Sequence, residues 1–151
     1  MEYVNYDFAV SLRYPGDWQQ TGDAHFEGQD GFSAMDAMSS GYSLEDTCAN
    51  QANHQLKPYG SNPTIEYLTI QGATGCLILP SGDAPPSEKS LSTLILPYPA
   101  PVRVHCNEIA HFNYFVLNAD KDHVRQIADT VSFITPVPTP SDCPTAAPGT
   151  P

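Results

Sequence analysis

Residues 43–60 read SLEDTCANQANHQLKPYG, and this stretch carries the clearest helix signal in the chain. Ser43 is a good N-cap, since its hydroxyl can accept a bond from an otherwise unpaired amide of the first turn. Glu45 and Asp46 follow in that turn, where the helix dipole favours negative charge. Leu44, Cys48, Ala52 and Leu56 recur every four residues and make one narrow apolar stripe. Lys57 and Pro58 are expected to stop the helix, and Tyr59-Gly60 to turn the chain away. Cys48 lies on the stripe that must be buried. A second cysteine, Cys76, lies in the most apolar run of the chain, GCLILP at 75–80. We therefore expect a Cys48–Cys76 disulfide that pins the helix to a central strand. On the chain-entropy account, a loop of this length restricts the unfolded chain by roughly 3–4 kcal/mol.

Working outward, Asp7 to Tyr14 alternates as a strand, with Phe8, Val10, Leu12 and Tyr14 on one face. Pro15-Gly16-Asp17 breaks it, and Trp18 follows as a plug for one end of the core. His25 to Gly31 reads as a polar edge strand and Gly31 to Ala37 as its hairpin partner. Beyond the helix, Thr64 to Gln71 is a strand and Gly72 to Gly75 a turn. Cys76 to Leu79 is apolar on both faces, as a covered central strand should be. Ser81 to Lys89 is a proline-bearing loop. Leu91 to Tyr98 is a strand ended by the series Pro97, Pro99, Pro101, and Phe112 to Asn118 is the last strong strand. Asp120 then caps a helix on which Val124, Ile127, Ala128 and Val131 share a face. The order β-β-β-α-β-β-β-α with short connections predicts an α+β domain, a mostly antiparallel sheet carrying helices. It spans 1–134. Residues 135–151, TPVPTPSDCPTAAPGTP, have the composition of a Pro/Thr-rich linker or tail.

The whole chain has 151 residues and a net charge of -11, with only six Lys and Arg. That balance excludes a nucleic-acid partner, which needs clustered basic groups, and disfavours an anionic membrane surface. Four cysteines without a CxxC pair fit an oxidising compartment and hence an exported protein, extracellular or in the cell envelope. Cys143 in the tail is either free or joined to another chain, and Cys106 is either its partner or a buried thiol. No run has transmembrane length, so no direct membrane insertion is expected. MEYVNYDF lacks the character of an export signal, and Met1 is expected to begin an excised piece of a longer precursor that carried a signal or anchor.

The strand leading into Tyr14-Pro15-Gly16-Asp17-Trp18 resembles the entry of the PsbP-like family, and a closing helix running into Ser132-Phe133 resembles its end. The likeness in element order covers about Val4 to Ile134. It implies an α/β/α sandwich around a mostly antiparallel sheet. It also implies a non-enzymatic, exported accessory or binding protein, lipoprotein-like in several members and binding divalent cations in some. Cys48 and the Lys57-Pro58-Tyr59-Gly60-Ser61 turn depart from that pattern. The segment also looks like modules fused to membrane-anchored bacterial proteins, which suits a stalk-like tail.

Candidate chemistry is sparse. His105, Cys106, Glu108 and His111 (HCNEIAH) are the densest set of ligand types, yet neither an extended nor a helical backbone gathers them as HExxH does. Cys48 and His54 fall on different helix faces, and no GxSxG elbow exists. Asp120, Asp122 and His123 lie together near a helix start, where they could contact a cation, while Asp17, Asp23 and Asp30 could form an acidic rim. Residues 57–63, KPYGSNP, form a rigid polar loop of the kind that carries recognition on a stable scaffold. The expected binding residues are Trp18, Lys57, Tyr59 and Asn62. Taken together, these features predict a non-catalytic extracytoplasmic binding or accessory module, part of a larger envelope-associated protein, with no cofactor. The partner would be a protein or small molecule, or a divalent cation. The alternative is a metal-assisted hydrolase, or a metal-binding protein, using the His105-Cys106-Glu108-His111 cluster.

Overall fold

Cys76, Leu77 and Ile78 are each fully buried. A strand can bury successive residues only if both of its faces are covered, and the layers on either side follow from that requirement. The computed structural model describes residues 1–85, 91–102 and 112–134. Its strands are β1 (Glu2–Asn5), β2 (Val10–Arg13), β3 (Gln19–Gly22), β4 (His25–Gly28), β5 (Gly31–Met38), β6 (Thr64–Ile70), β7 (Ala73–Leu79), β8 (Leu91–Val102), β9 (Phe112–Asp120) and β10 (Ser132–Phe133). Helix α1 (Leu44–Ala52) lies between β5 and β6, and α2 (Val124–Ala128) between β9 and β10. Among the described residues the strands make two antiparallel sheets. One has seven strands in the order β3-β4-β5-β9-β8-β7-β6 and the other three in the order β1-β2-β10.

The seven-stranded sheet separates two cores. On one face Leu77, Leu94, Leu96, Phe115 and Leu117 meet Phe8, Val10 and Leu12 of the small sheet and its entry, together with Val124, Ile127 and Ala128 of α2. On the other, Cys76, Ile78, Ile95 and Tyr114 meet Cys48 and Ala52 of α1 and Tyr59. The period-two alternation along β8, with Leu94 and Leu96 on one side and Ile95 on the other, divides the layers. The covalent tie between α1 and the sheet is present: Cys48 and Cys76 form a disulfide across 28 residues of chain, with Cα atoms 6.5 Å apart. Such a bond is consistent with an oxidising environment. No helix among the described residues is long and apolar enough to cross a membrane.

The expected α/β/α sandwich is not what forms. Among the described residues the protein is mostly β, with 51% strand against 12% helix and two short helices. The coarser α+β label is compatible with it, but the helical layer expected on one face is largely a three-stranded sheet. The physical reason lies in the closing segment: α2 has five residues, too few to cover a seven-stranded sheet, and β2 and β10 bury the rest of that face. Two strands of that rearrangement, β1 and β10, pair with β2 in registers set by Glu2↔Arg13 and Ser132↔Ser11.

Local corrections have local causes. Ser43 caps α1 as expected, accepting from the Asp46 amide at 3.1 Å. The helix ends at Ala52 rather than at Lys57, because Asn53 folds back and donates its side-chain amide to the Ala49 carbonyl. Leu56 is consequently off the stripe and 74% exposed. The turn expected at 72–75 is a two-residue hairpin at Gln71 and Gly72, whose φ angles of 52° and 80° match the twist of the flanking strands. Asp120 does not cap α2, whose N-cap position is His123 and carries no side-chain cap bond. Strand β8 does not stop at Tyr98 but continues through the prolines to Val102.

Candidate functional site

The KPYGSNP loop is held from beneath by its tyrosine. Tyr59 is 1% exposed. Its hydroxyl lies 2.6 Å from Thr93 Oγ1 and accepts from Gln51 Nε2 at 3.1 Å, while Thr93 Oγ1 donates to Asn118 Oδ1 at 2.7 Å. Because the Thr93 proton goes to Asn118, the Tyr59 proton goes to Thr93, and the buried chain of polar groups is satisfied throughout. Gly60, at φ 86°, then lets the backbone pass where a Cβ would strike the Ser81 hydroxyl and the Asp83 carboxylate. Asp83 ties the loop to the following turn, accepting from the Ser61 amide at 3.2 Å and from the hydroxyls of Ser61 and Ser81. The Asn62 amide donates to Ser81 Oγ at 3.2 Å. These hydrogen bonds, Ser61 first and then Ser81, lower the Asp83 pKa to about 2. Lys57 and Asn62 are exposed on this loop, whereas Tyr59 is part of its foundation.

Trp18 is elsewhere. It is 4% exposed and belongs to the core on the opposite face of the seven-stranded sheet from Tyr59, so the structure does not bring these two together. Its indole donates to Asp30 Oδ1 at 2.8 Å, and its ring meets His123 edge-on at 5.0 Å. His123 Nδ1 lies 2.7 Å from Asp120 Oδ2 and Nε2 lies 3.3 Å from Asp30 Oδ2. Asp120, 3% exposed, also accepts from the Phe32 amide at 3.0 Å. Two glycines make room for this group. A Cβ at Gly28 would overlap the Trp18 ring, and one at Gly31 would overlap Asp120 and His123. Burial disfavours the charged His123 imidazole, but the bond to Asp120 and the charges of Asp120, Asp30 and Asp122 outweigh it and raise the pKa above the usual value. The Trp18 bond, the largest influence, lowers that of Asp30. Asp30 of the expected acidic rim and the Asp120–His123 pair are thus brought together, as a clamp between β5, β9 and the Trp18 turn.

His105, Cys106, Glu108 and His111 lie outside the described residues, as does Cys143. Among the described residues no group of three His, Cys, Asp or Glu side chains is placed to hold a metal ion.

The feature that sequence reasoning missed is at Tyr98. Pro97, Pro99 and Pro101 have no N–H to give to the ladder, and the regular pairing of β8 with β9 is interrupted after Pro97. Pro97 pairs with Tyr114 and Val102 with Phe112, five steps along β8 against two along β9, which leaves three residues in excess. The extra residues make a bulge on β8 between Pro97 and Val102. Between it and the end of the small sheet is a cavity of about 270 Å³, lined by Ala9, Tyr98, Pro99, Ala100, Val102, Phe133 and Ile134. Tyr98 is 8% exposed, and its ring lies 5.4 Å from that of Phe133 and 6.2 Å from that of Phe115. Its hydroxyl is the one buried side-chain polar atom among the described residues with no hydrogen-bond partner in the protein. Burial, and then the negative charge of Asp36, push the phenol above its usual pKa, so it carries its proton at any physiological pH. An aromatic residue interleaved with three prolines inside an otherwise apolar strand was the available signal.

No protein-family model, curated protein or solved structure matches this chain. None of these comparisons identifies a PsbP-like family.

Proposed function

We propose that this protein is a non-catalytic binding module that works outside the cytoplasm, in the extracellular space or cell envelope, as part of a larger envelope-associated protein. The observation that carries the reading is the mostly apolar cavity of about 270 Å³ beside the β8 bulge.

The polar clusters support binding rather than catalysis. Both ring nitrogens of His123 face carboxylates, so neither is open to take a proton from a nucleophile. Ser61 and Ser81 give their hydroxyl protons to Asp83, and a carboxylate with a pKa near 2 is a weak base. The buried Cys48–Cys76 bond supports an address outside the cytoplasm.

The test is a fragment titration followed by amide NMR. Saturable shifts should centre on Ala9, Ala100, Val102 and Ile134. A library that perturbs none of these amides in a saturable way rejects the binding reading.

A further inference from the structure

The two edges of the seven-stranded sheet are protected very differently. At one edge β3 is four residues long, wholly exposed and broken in register between Gln20 and Gly22. Short length and a bulge are devices by which proteins keep a sheet edge from pairing with another chain. At the other edge β6 is seven residues long and pairs with β7 without a shift, from Thr64↔Leu79 to Ile70↔Ala73. It contains no proline, glycine or lysine, and its one charge, Glu66, lies 2.8 Å from the Arg125 guanidinium. Among the described residues no strand pairs with its outer side. The hairpin fixes what that side offers. Ile70 and Ala73 flank the two-residue turn and so bond to each other, and in an antiparallel ladder alternate residues repeat that pattern. Thr64, Glu66, Leu68 and Ile70 thus give their N–H and C=O groups to β7, whereas Ile65, Tyr67 and Thr69 point theirs outward. Tyr67, 50% exposed, stands at the centre of this row.

An edge of this kind accepts a strand, and the sequence of β6 favours its own copy. An outward residue can bond only to an outward residue, so a two-fold axis must pass through a residue rather than between two. Placed on Tyr67, the axis overlaps all seven residues. Ile65 then meets Thr69 of the second copy, Tyr67 meets Tyr67 and Thr69 meets Ile65, three pairs of two hydrogen bonds each. At the intervening positions Thr64 opposes Ile70 and Glu66 opposes Leu68, so aromatic and β-branched residues meet and no like charges do. An axis on Glu66 would set two carboxylates against each other, and one on Leu68 would leave the first two residues of each strand outside the overlap. We infer that β6 of one copy pairs antiparallel with β6 of a second about Tyr67, joining two seven-stranded sheets into one of fourteen. The net charge of -11 on each copy opposes the approach, but the edge itself carries no unpaired charge. Salt screens the longer-range repulsion beyond about 8–10 Å. The dimer therefore tightens as salt rises, the reverse of what a basic partner strand would do.

One strand pair buries less than about 1,200 Å², and interfaces of that size are weak, so the test is sedimentation of the intact protein from about 0.02 to about 1 mM. The wild type should pass from monomer to dimer across the range, and further toward dimer when salt is raised. Amide hydrogen exchange reads the register: the amides of Ile65, Tyr67 and Thr69 should slow with protein concentration, while those of Glu66 and Leu68 are slow throughout. Tyr67→Lys, which sets two ammonium groups across the axis, should weaken the dimer by about tenfold or more, although it lowers the net charge and with it the general repulsion. Thr69→Lys should also weaken it. Thr21→Lys makes the same change in charge on β3, at the other edge, and should not weaken it. All three sites are exposed, and the thermal midpoints of the variants should stay near that of the wild type. A protein that stays monomeric over the whole range overturns the inference. Outward amides slow at every concentration would then mean that another part of this chain covers the edge, and fast ones that it is open to a foreign strand. A dimer indifferent to Tyr67→Lys and Thr69→Lys, or one that loosens with salt, overturns it equally. None of these outcomes bears on the β8-bulge cavity, which the fragment titration tests separately.

Discussion

Removing the Cys48–Cys76 bond by the double substitution Cys48→Ala, Cys76→Ala should destabilise the domain strongly, and unevenly. The bond closes a loop with a sequence separation of 28 residues. For a loop of that length the chain-entropy relation gives about 12 cal/mol/K, or about 3.6 kcal/mol at 25 °C. Both cysteines are fully buried, so truncation to alanine adds a void beside Ala52, Ile78 and Ile95, and the total should be no smaller than that figure. At about 2.1 cal/mol/K per residue of unfolding entropy, such a loss lowers the thermal midpoint of a domain of this size by roughly 10–15 °C. The damage should fall on one layer. α1 and the Tyr59 loop pack on the face that contains the bond, whereas the larger core with Phe115, Leu117 and α2 is on the other. Circular dichroism melts of the oxidised protein and the variant measure the midpoint, and amide hydrogen exchange locates the effect. A midpoint change under about 3 °C, or exchange that accelerates equally in β2 and α1, would refute the view that this bond holds the helical layer to the sheet.

Two further outcomes check the clusters around it. Gly60→Ala should cost about 1–3 kcal/mol in a urea melt, through the strained φ of 86° and the collision with Ser81 and Asp83. A change below about 0.5 kcal/mol would show that the loop moves freely away from the turn at Asp83. The raised pKa of His123 has a definite sign: its contribution to stability is full below the unfolded value of about 6.5 and is lost as pH rises through the higher folded value. The stability gap between the wild type and His123→Gln should therefore shrink from pH 5.5 to pH 8.5. A gap that widens with pH removes the imidazolium from the clamp.

Much of the architecture is readable in the chain alone, where the physics is local. The Ser43 cap, the hairpin partner strand at 31–37, the doubly buried run at 76–78 and the long strand from Phe112 are set by capping, alternation and composition. The disulfide was legible too, since one cysteine was on a helix stripe and the other in the most apolar strand. The layer order was not. Residues 2–5 (EYVN) and 132–133 (SF) are too short and too weakly patterned to declare themselves as strands, and they become strands only by pairing with β2. The fates of individual polar residues were equally hidden. Asp120 looks like a cap from its place before a helix, but the Phe32 amide, 88 residues away in sequence, and His123 claim its carboxylate. Tyr59 looks like a recognition residue from its place in a rigid loop, but Thr93 and Gln51 claim its hydroxyl. Tyr98 is the converse case, an unremarked residue on the β8 bulge that is left buried and unpartnered. Local sequence determined where strands, turns and the α1 cap arise, because those depend on neighbours within a few residues. Which hydroxyls and carboxylates are satisfied, and which one is left buried without a partner, depends on groups far apart in the chain, and only the packed tertiary structure decided it.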